Sequence, residues 1–252
     1  MGFLRDLQRR RVLARHAIDE TLWREVTGRL SCLGALSVEE ERRLRDLCLI
    51  FLDEKEFTGA RGMVPDDPVR LLIAAQACLP VLELGIDWYR GWQGIVIYPH
   101  DFRVARSDVD EAGVVHEWTD ELAGETMPGG PVVLSWDATL QESEVNVVIH
   151  EFAHKLDMLN GEADGLPPLH AGMDRRAWSE AFREAYEGFC DALDRGRETW
   201  LDPYGGEHPA EFFAVTSEAF FVEPLETRRR YPDVYAQLAR FYRQDPTARR
   251  TR

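Results

Sequence analysis

Cysteine is scarce and scattered in this 252-residue chain: Cys32, Cys48, Cys78 and Cys190 are the whole supply, and no two form a CxxC pair. A zinc ribbon needs its thiolates in close pairs and a disulfide scaffold needs a dense framework, so the spacing excludes both. Isolated thiols fit a reducing cytoplasm. Long hydrophobic runs are lacking as well. The best uncharged stretch, Leu71 to Leu82, is 12 residues long and contains Gln76 and Pro80, whereas a membrane-spanning helix needs roughly 20 apolar residues. The opening MGFLRDLQRRRVLARH puts Arg where a signal peptide needs its apolar region, so neither export nor membrane insertion is expected. Basic charge is the third deficit: 30 Lys+Arg face 45 Asp+Glu, a formal net charge of −15. The first 30 residues hold seven Arg against four acids and the last 25 hold eight against two, which leaves −24 between them. An acidic body between basic ends is a poor match for a phosphate backbone, and this argues against direct nucleic-acid binding.

What is present is an ordinary globular composition, 44% hydrophobic and 30% charged, at a length that can bury a sizeable core. No repeat or low-complexity tract interrupts it. The segment to about Arg29 is an Arg-rich helical pattern. Ser37-Val38-Glu39-Glu40 has the form of a capping box and opens a helix with Leu44, Leu47, Cys48 and Phe51 on one face. Asp67-Pro68 reads as the N-cap and first residue of a more apolar helix to about Cys78. From Trp88 the pattern changes. Gly94 to Tyr98 and Pro131 to Trp136 are β-branched and aromatic runs bounded by Gly or Pro, and predict strands. The acidic stretch between them, with Gly113, Gly124, Gly129 and Gly130, predicts loops and a strand or two.

Beyond Ser143 helices return. One runs from Glu144 to about Leu159, one carries Trp178, Phe182, Tyr186, Phe189 and Leu193, one starts at Pro209 and ends before Pro224, and one covers Val234 to Tyr242. Helices, then strands, then helices point to an α+β fold and not to alternating βαβ units.

The chemistry lies in His150-Glu151-Phe152-Ala153-His154, an HExxH pattern on the helix led in by Val147-Val148-Ile149. At about 100° per residue, His150 and His154 differ by about 40° around the axis, so both imidazoles reach one metal ion. Glu151 falls beside them, able to take a proton from a water on that metal without being a ligand. Such a site suits a zinc hydrolase. Two His leave the ion short of a third protein ligand, for which Asp157, His170, Glu207, His208, Glu211 and Glu218 are downstream candidates. Asp157 is one turn past His154 and better placed to accept a hydrogen bond from a ligand imidazole. Glu211 leads because a second helix crossing the first is how a His₂Glu site is completed; Glu218, on the same face, follows or stands behind the ligands.

Four stretches carry a resemblance over nearly the whole chain: Ala74 to Leu82, Gly130 to Asp137, Ile149 to Asp157 and Pro209 to Glu218. Together they resemble the glucose-regulated metallopeptidase family of Mlc titration factor A, which is similar in turn to the catalytic domain of anthrax lethal factor. The resemblance implies a zincin-like fold, with a small mixed sheet, an active-site helix and flanking helices. On that basis residues 1–252 form one metallopeptidase unit, a helical region 1–85 packed on a catalytic core 86–245. It implies Glu211 as third zinc ligand, and Tyr204 as a phenol near the oxyanion of the tetrahedral intermediate. It implies one zinc per chain, a cytoplasmic aminopeptidase acting on small peptide substrates, and binding to the transcriptional repressor Mlc.

Plainer readings stand beside these. Tyr204 lies in the turn-like Asp202-Pro203-Tyr204-Gly205-Gly206, where a ring usually just packs. His100, His116 and His170 read as loop residues without function, and His208 as a helix-start residue. Ser135-Trp136 on an apolar strand reads as core; the sharper reading makes that strand the edge along which an extended peptide aligns. The Arg-rich ends read as solvated faces or contacts for a protein partner. A non-catalytic interaction protein with a structural zinc is the competing function, and the intact Glu151 speaks against it.

Overall fold

The structure, a computed structural model, describes residues 2–109, 115–140 and 146–249. Gly113 of the stretch read as loops and a strand or two, the helix start read at Glu144, and Arg250 and Arg252 of the basic end lie outside the described residues. The Arg-rich opening forms two helices where the pattern suggests one: α1 (Gly2–Arg15) and α2 (Glu20–Thr27). Asp19 makes the break, its carboxylate accepting the backbone N–H groups of Thr21 and Leu22 and so capping α2. In α3 (Val38–Glu54) the expected capping box is complete, Ser37 Oγ accepting from Glu40 N–H and Glu40 Oε2 from Ser37 N–H. A short strand β1 (Glu56–Gly59) leads to α4 (Asp67–Cys78), whose cap is Asp66, one residue earlier than expected; it holds the Val69 N–H at 3.0 Å.

Strands β2 (Gly94–Tyr98), β3 (Phe102–Val109), β4 (Val115–Leu122), β5 (Gly124–Thr126) and β6 (Val132–Ser135) follow, then the short helix α5 (Trp136–Leu140). β3 and β4 pair antiparallel as a separate hairpin, Phe102 opposite Leu122, so His116 lies in a strand and not in a loop. The remaining strands form a mixed sheet in the order β1-β2-β6-β5, parallel except for the antiparallel β5. This corrects the edge assignment. β6, which carries Ser135, is flanked on both sides and fully buried; the edges are β1 and the three-residue β5, and β5 is the one beside the HExxH helix.

The C-terminal half is α6 (Val147–Asp157), α7 (Arg175–Asp194), α8 (Pro209–Val222), α9 (Pro224–Arg230), α10 (Pro232–Tyr242) and α11 (Pro246–Arg249). Every residue of α6 is buried, and the helix reaches solvent only through the cleft that Val147, His150, Glu151 and His154 line. Its Phe152 meets Phe51, Tyr89 and Trp92 at ring-centroid distances of 5.1–5.7 Å, joining the N-terminal helices to the sheet layer. On the other side Phe213 of α8 packs with Trp178, Phe182 and Phe241. One apolar cluster therefore runs from Trp23 to Tyr242, with α6 inside it. No helix among the described residues is long and apolar enough to cross a membrane.

Candidate metal centre and its cleft

Asn146 starts the site. Its side-chain oxygen caps α6 through Ile149 N–H at 2.9 Å, its backbone N–H donates to Glu218 at 2.5 Å, and its amide nitrogen donates to Gln76 of α4 at 2.7 Å. The helix is thus seated against α4 and α8 before its first turn ends. From there the 3.6-residue period turns His150 and His154 to one side, with ring centroids 4.9 Å apart. Facing them is Glu211 in the first turn of α8. His208 caps that helix by accepting the Ala210 N–H, and Pro209 begins it. Glu211 Oε2 lies 3.1 Å from Nε2 of both imidazoles. These three ligand atoms fall within 4.8 Å of one another, the one such cluster among the described residues.

The other candidates do different work. Glu218, two turns along α8, places Oε2 3.5 Å from His150 Nδ1. It is the carboxylate set against a candidate ligand imidazole, a task the helical spacing suggests for Asp157. Asp157 instead accepts the Gly165 N–H at 2.8 Å, and His154 Nδ1 has no hydrogen-bond partner among the described residues. Gly165 has φ +81°, and a Cβ there would fall 2.7 Å from Pro209 O, so Asp157 pins a close approach against the start of α8. His170 is remote from the cluster, bonded to Phe241 O at 2.7 Å, and His208 borders the cleft only as a cap. Tyr204, on a 3-10 turn (Pro203–Gly206), has its ring 6.2 Å from that of His150 and also borders the cleft.

The charges are arranged to hold a cation. At His150 burial opposes the imidazolium, but hydrogen bonds to Glu211 and Glu218 outweigh it and raise the pKa to about 10. At Glu211 burial is likewise overcome, the two imidazoles holding the carboxyl well below the usual range. Burial raises Glu218 and Glu151. Glu151 Oε2 is buried with no hydrogen-bond partner among the described residues, while its backbone carbonyl accepts from Thr126 Oγ1 at 3.2 Å. Two imidazole nitrogens and a carboxylate oxygen converging on one point form a donor set that suits zinc, with an orphaned carboxylate oxygen beside it. The cleft they face has a volume of about 670 Å³, with Gly124 and Met127 on one wall and Tyr204 and Ala210 on the other.

Sequence reasoning passed over Gly124. A Cβ on it would lie 2.4 Å from Glu151 Oε1, so only glycine lets the edge strand lie against that carboxylate. The one available signal was a Gly beside a short polar strand, which by itself says nothing of what approaches it.

An HExxH helix supplying two imidazoles, a crossing helix supplying a carboxylate and an open cleft above them are the parts of a metallopeptidase. The chain belongs to the glucose-regulated metallo-peptidase M90 family, which it matches over residues 4–243. Among its relatives are the proteins called Mlc titration factor A in Yersinia pestis (strain Pestoides F) and in Yersinia pseudotuberculosis serotype O:3 (strain YPIII). Each is 37% identical over 233 residues, covering 90% of this chain and 86% of the relative.

Proposed function

We propose that the chain is a zinc-dependent peptidase, of aminopeptidase type on small peptides, and that it also binds an Mlc-type repressor. The observation that carries the first part is the convergence of His150, His154 and Glu211 beside Glu151, whose buried Oε2 has no partner among the described residues, at the wall of an open cleft. In this reading the two imidazoles and Glu211 hold the ion. When bound, zinc supplies a Lewis acid that eases ionisation of water and polarises the scissile carbonyl. Glu151 takes the proton from the attacking water and passes it to the leaving amine; its raised pKa suits a group that must both accept and return a proton. Tyr204 directs its phenol at the oxygen that becomes negative. Glu218 keeps His150 oriented throughout.

Repressor binding rests on the relatives' name, and a purely structural ion is the competing reading. Structural zinc sites are closed by four protein ligands, whereas three donors lie together here and face a cleft. The reading also takes residues 1–252 as one unit, 1–85 packed on 86–245, supported by the Gln76–Asn146 bond. It includes a cytoplasmic location, supported by four cysteines that form no disulfide among the described residues. Glu151→Gln tests the chemistry. The variant is expected to retain one zinc per chain by metal analysis and to lose at least about 10²-fold in peptide hydrolysis. Digestion of a peptide library by the wild type, read by mass spectrometry, locates the cuts. A metal-loaded Glu151→Gln protein with undiminished hydrolysis would overturn the mechanism.

A further inference from the structure

Of the 30 basic residues 28 are Arg, and the two Lys, Lys55 and Lys155, are both buried, at 5% and 4% exposure. They flank a single indole: Lys55 Nζ lies 3.5 Å and Lys155 Nζ 4.7 Å from the centre of the Trp92 ring. Lys55 donates to the carbonyls of Tyr89 and Trp92 at 2.6 and 2.7 Å. Lys155 donates to the carbonyls of Met127 and Gly130 at 2.9 and 2.7 Å. Two carbonyls and a ring face satisfy a compact ammonium. A planar guanidinium, with five donors in a rigid fork, would leave several unsatisfied in so closed a place. In a chain that otherwise uses Arg, both Lys stand where a compact ammonium is better satisfied than a guanidinium.

The partners of Lys155 have a position that matters. Lys155 follows the ligand His154 on α6, and Met127 and Gly130 bracket the turn from β5 to β6. Thr126 Oγ1 binds Glu151 O, and Gly124 lies against the Glu151 side chain. The edge strand therefore lies against the metal-binding helix at one end and is bonded to it at the other, where Lys155 adds a charged tie. We propose that Lys155, seated on Trp92, is a positioning residue that fixes the free edge of β5 relative to the metal centre and so sets the track for an extended peptide. This rests on the peptidase reading for its substrate, but not for the anchoring itself.

The test uses the full-length, zinc-loaded protein with Lys155→Met, Lys155→Arg and Lys55→Met. Amide hydrogen exchange over residues 124–130 is expected to quicken at least about tenfold in Lys155→Met, the scale of either of the two charge-assisted hydrogen bonds it loses. Exchange across residues 150–154 and the zinc content stay as in the wild type. KM for peptides of about four residues or more rises several-fold further than KM for a single-residue arylamide. Lys155→Arg recovers part of this, and Lys55→Met leaves exchange over 124–130 unaltered. Unchanged exchange at 124–130 in Lys155→Met overturns the anchoring. An equal loss on both substrates, or a loss of zinc, overturns the positioning role in favour of general support. If the wild type cleaves no peptide the peptidase reading fails, while the exchange measurement still decides whether Lys155 holds the strand. Should Lys155→Met not fold, Trp92→Leu removes the ring beneath the ammonium and is read by the same exchange experiment.

Discussion

Gly124→Ala is the substitution for which the structure gives the sharpest expectation. The added Cβ would sit 2.4 Å from Glu151 Oε1, 2.7 Å from its Cγ and 2.8 Å from its Cδ. Heavy atoms in ordinary contact are about 3.5 Å apart, so the overlap is about 1 Å and involves the stem of the side chain as well as its tip. Neither partner can yield cheaply. Gly124 is paired opposite Leu134 in the sheet, and Glu151 belongs to a helix buried along its whole length. Relief therefore takes a shift of about 1 Å in the Glu151 carboxylate or in the edge strand, and a misplacement of that size in catalytic machinery costs about 10²-fold in rate. The same crowding is expected to cost about 1–3 kcal/mol of folding stability. The ligand atoms of His150, His154 and Glu211 are not among the atoms crowded, so the variant should keep its metal. Turnover of a chromogenic peptide substrate, zinc content and a urea unfolding curve together check this. A Gly124→Ala protein with wild-type turnover would refute the placement of Glu151 against the edge strand, and one that lost zinc would show that the strain reaches the ligands.

Two further substitutions separate ligands from supports. Glu211→Ala should abolish stoichiometric zinc binding, whereas Glu218→Ala should still bind with about 10–100-fold weaker affinity, as expected when a group orienting a ligand imidazole is lost; competition with a chelator measures both, and the reverse order would exchange their roles. Burial pushes the Asp157 carboxyl up to about 6 against the pull of the Gly165 N–H, from an ordinary value of 3.8. The unfolded chain then ionises first as pH rises from about 4 to 6, so stability falls across that window and a cost of about 3 kcal/mol remains above it. Asp157→Asn, which keeps an acceptor for Gly165, should therefore raise unfolding free energy at pH 7 by up to about 3 kcal/mol and change it little at pH 4; equal effects at both pH values would refute burial as the cause.

How much of this could be read from the chain follows from where each residue's partner lies. His150, Glu151 and His154 were legible because their geometry is set within one helix, and the helix itself was legible from its apolar lead-in. The helix bearing Glu211 was marked by Pro209, while its approach to α6 was the leading one of several candidates from the residues and was singled out by the resemblance. β5 was missed as the edge because Gly-Glu-Thr has no alternating apolar pattern; it is a strand because β6 offers Val132 to Leu134 as partners. β1, half exposed along its four residues, exists for the same reason beside β2. The Asp157 expectation failed instructively. Helical period puts Asp157 on the face of His150, but His150 Nδ1 meets α8, and periodicity within α6 cannot say which helix stands opposite. Lys155 and Gly124 fall in the same class, since an ammonium finding two carbonyls and a missing Cβ making room for a carboxylate are both properties of a contact. A sequence thus displays the chemical groups of a candidate site and hides those that hold them in place. The residues least conspicuous in the chain are for that reason the ones whose substitution tests the structure most directly.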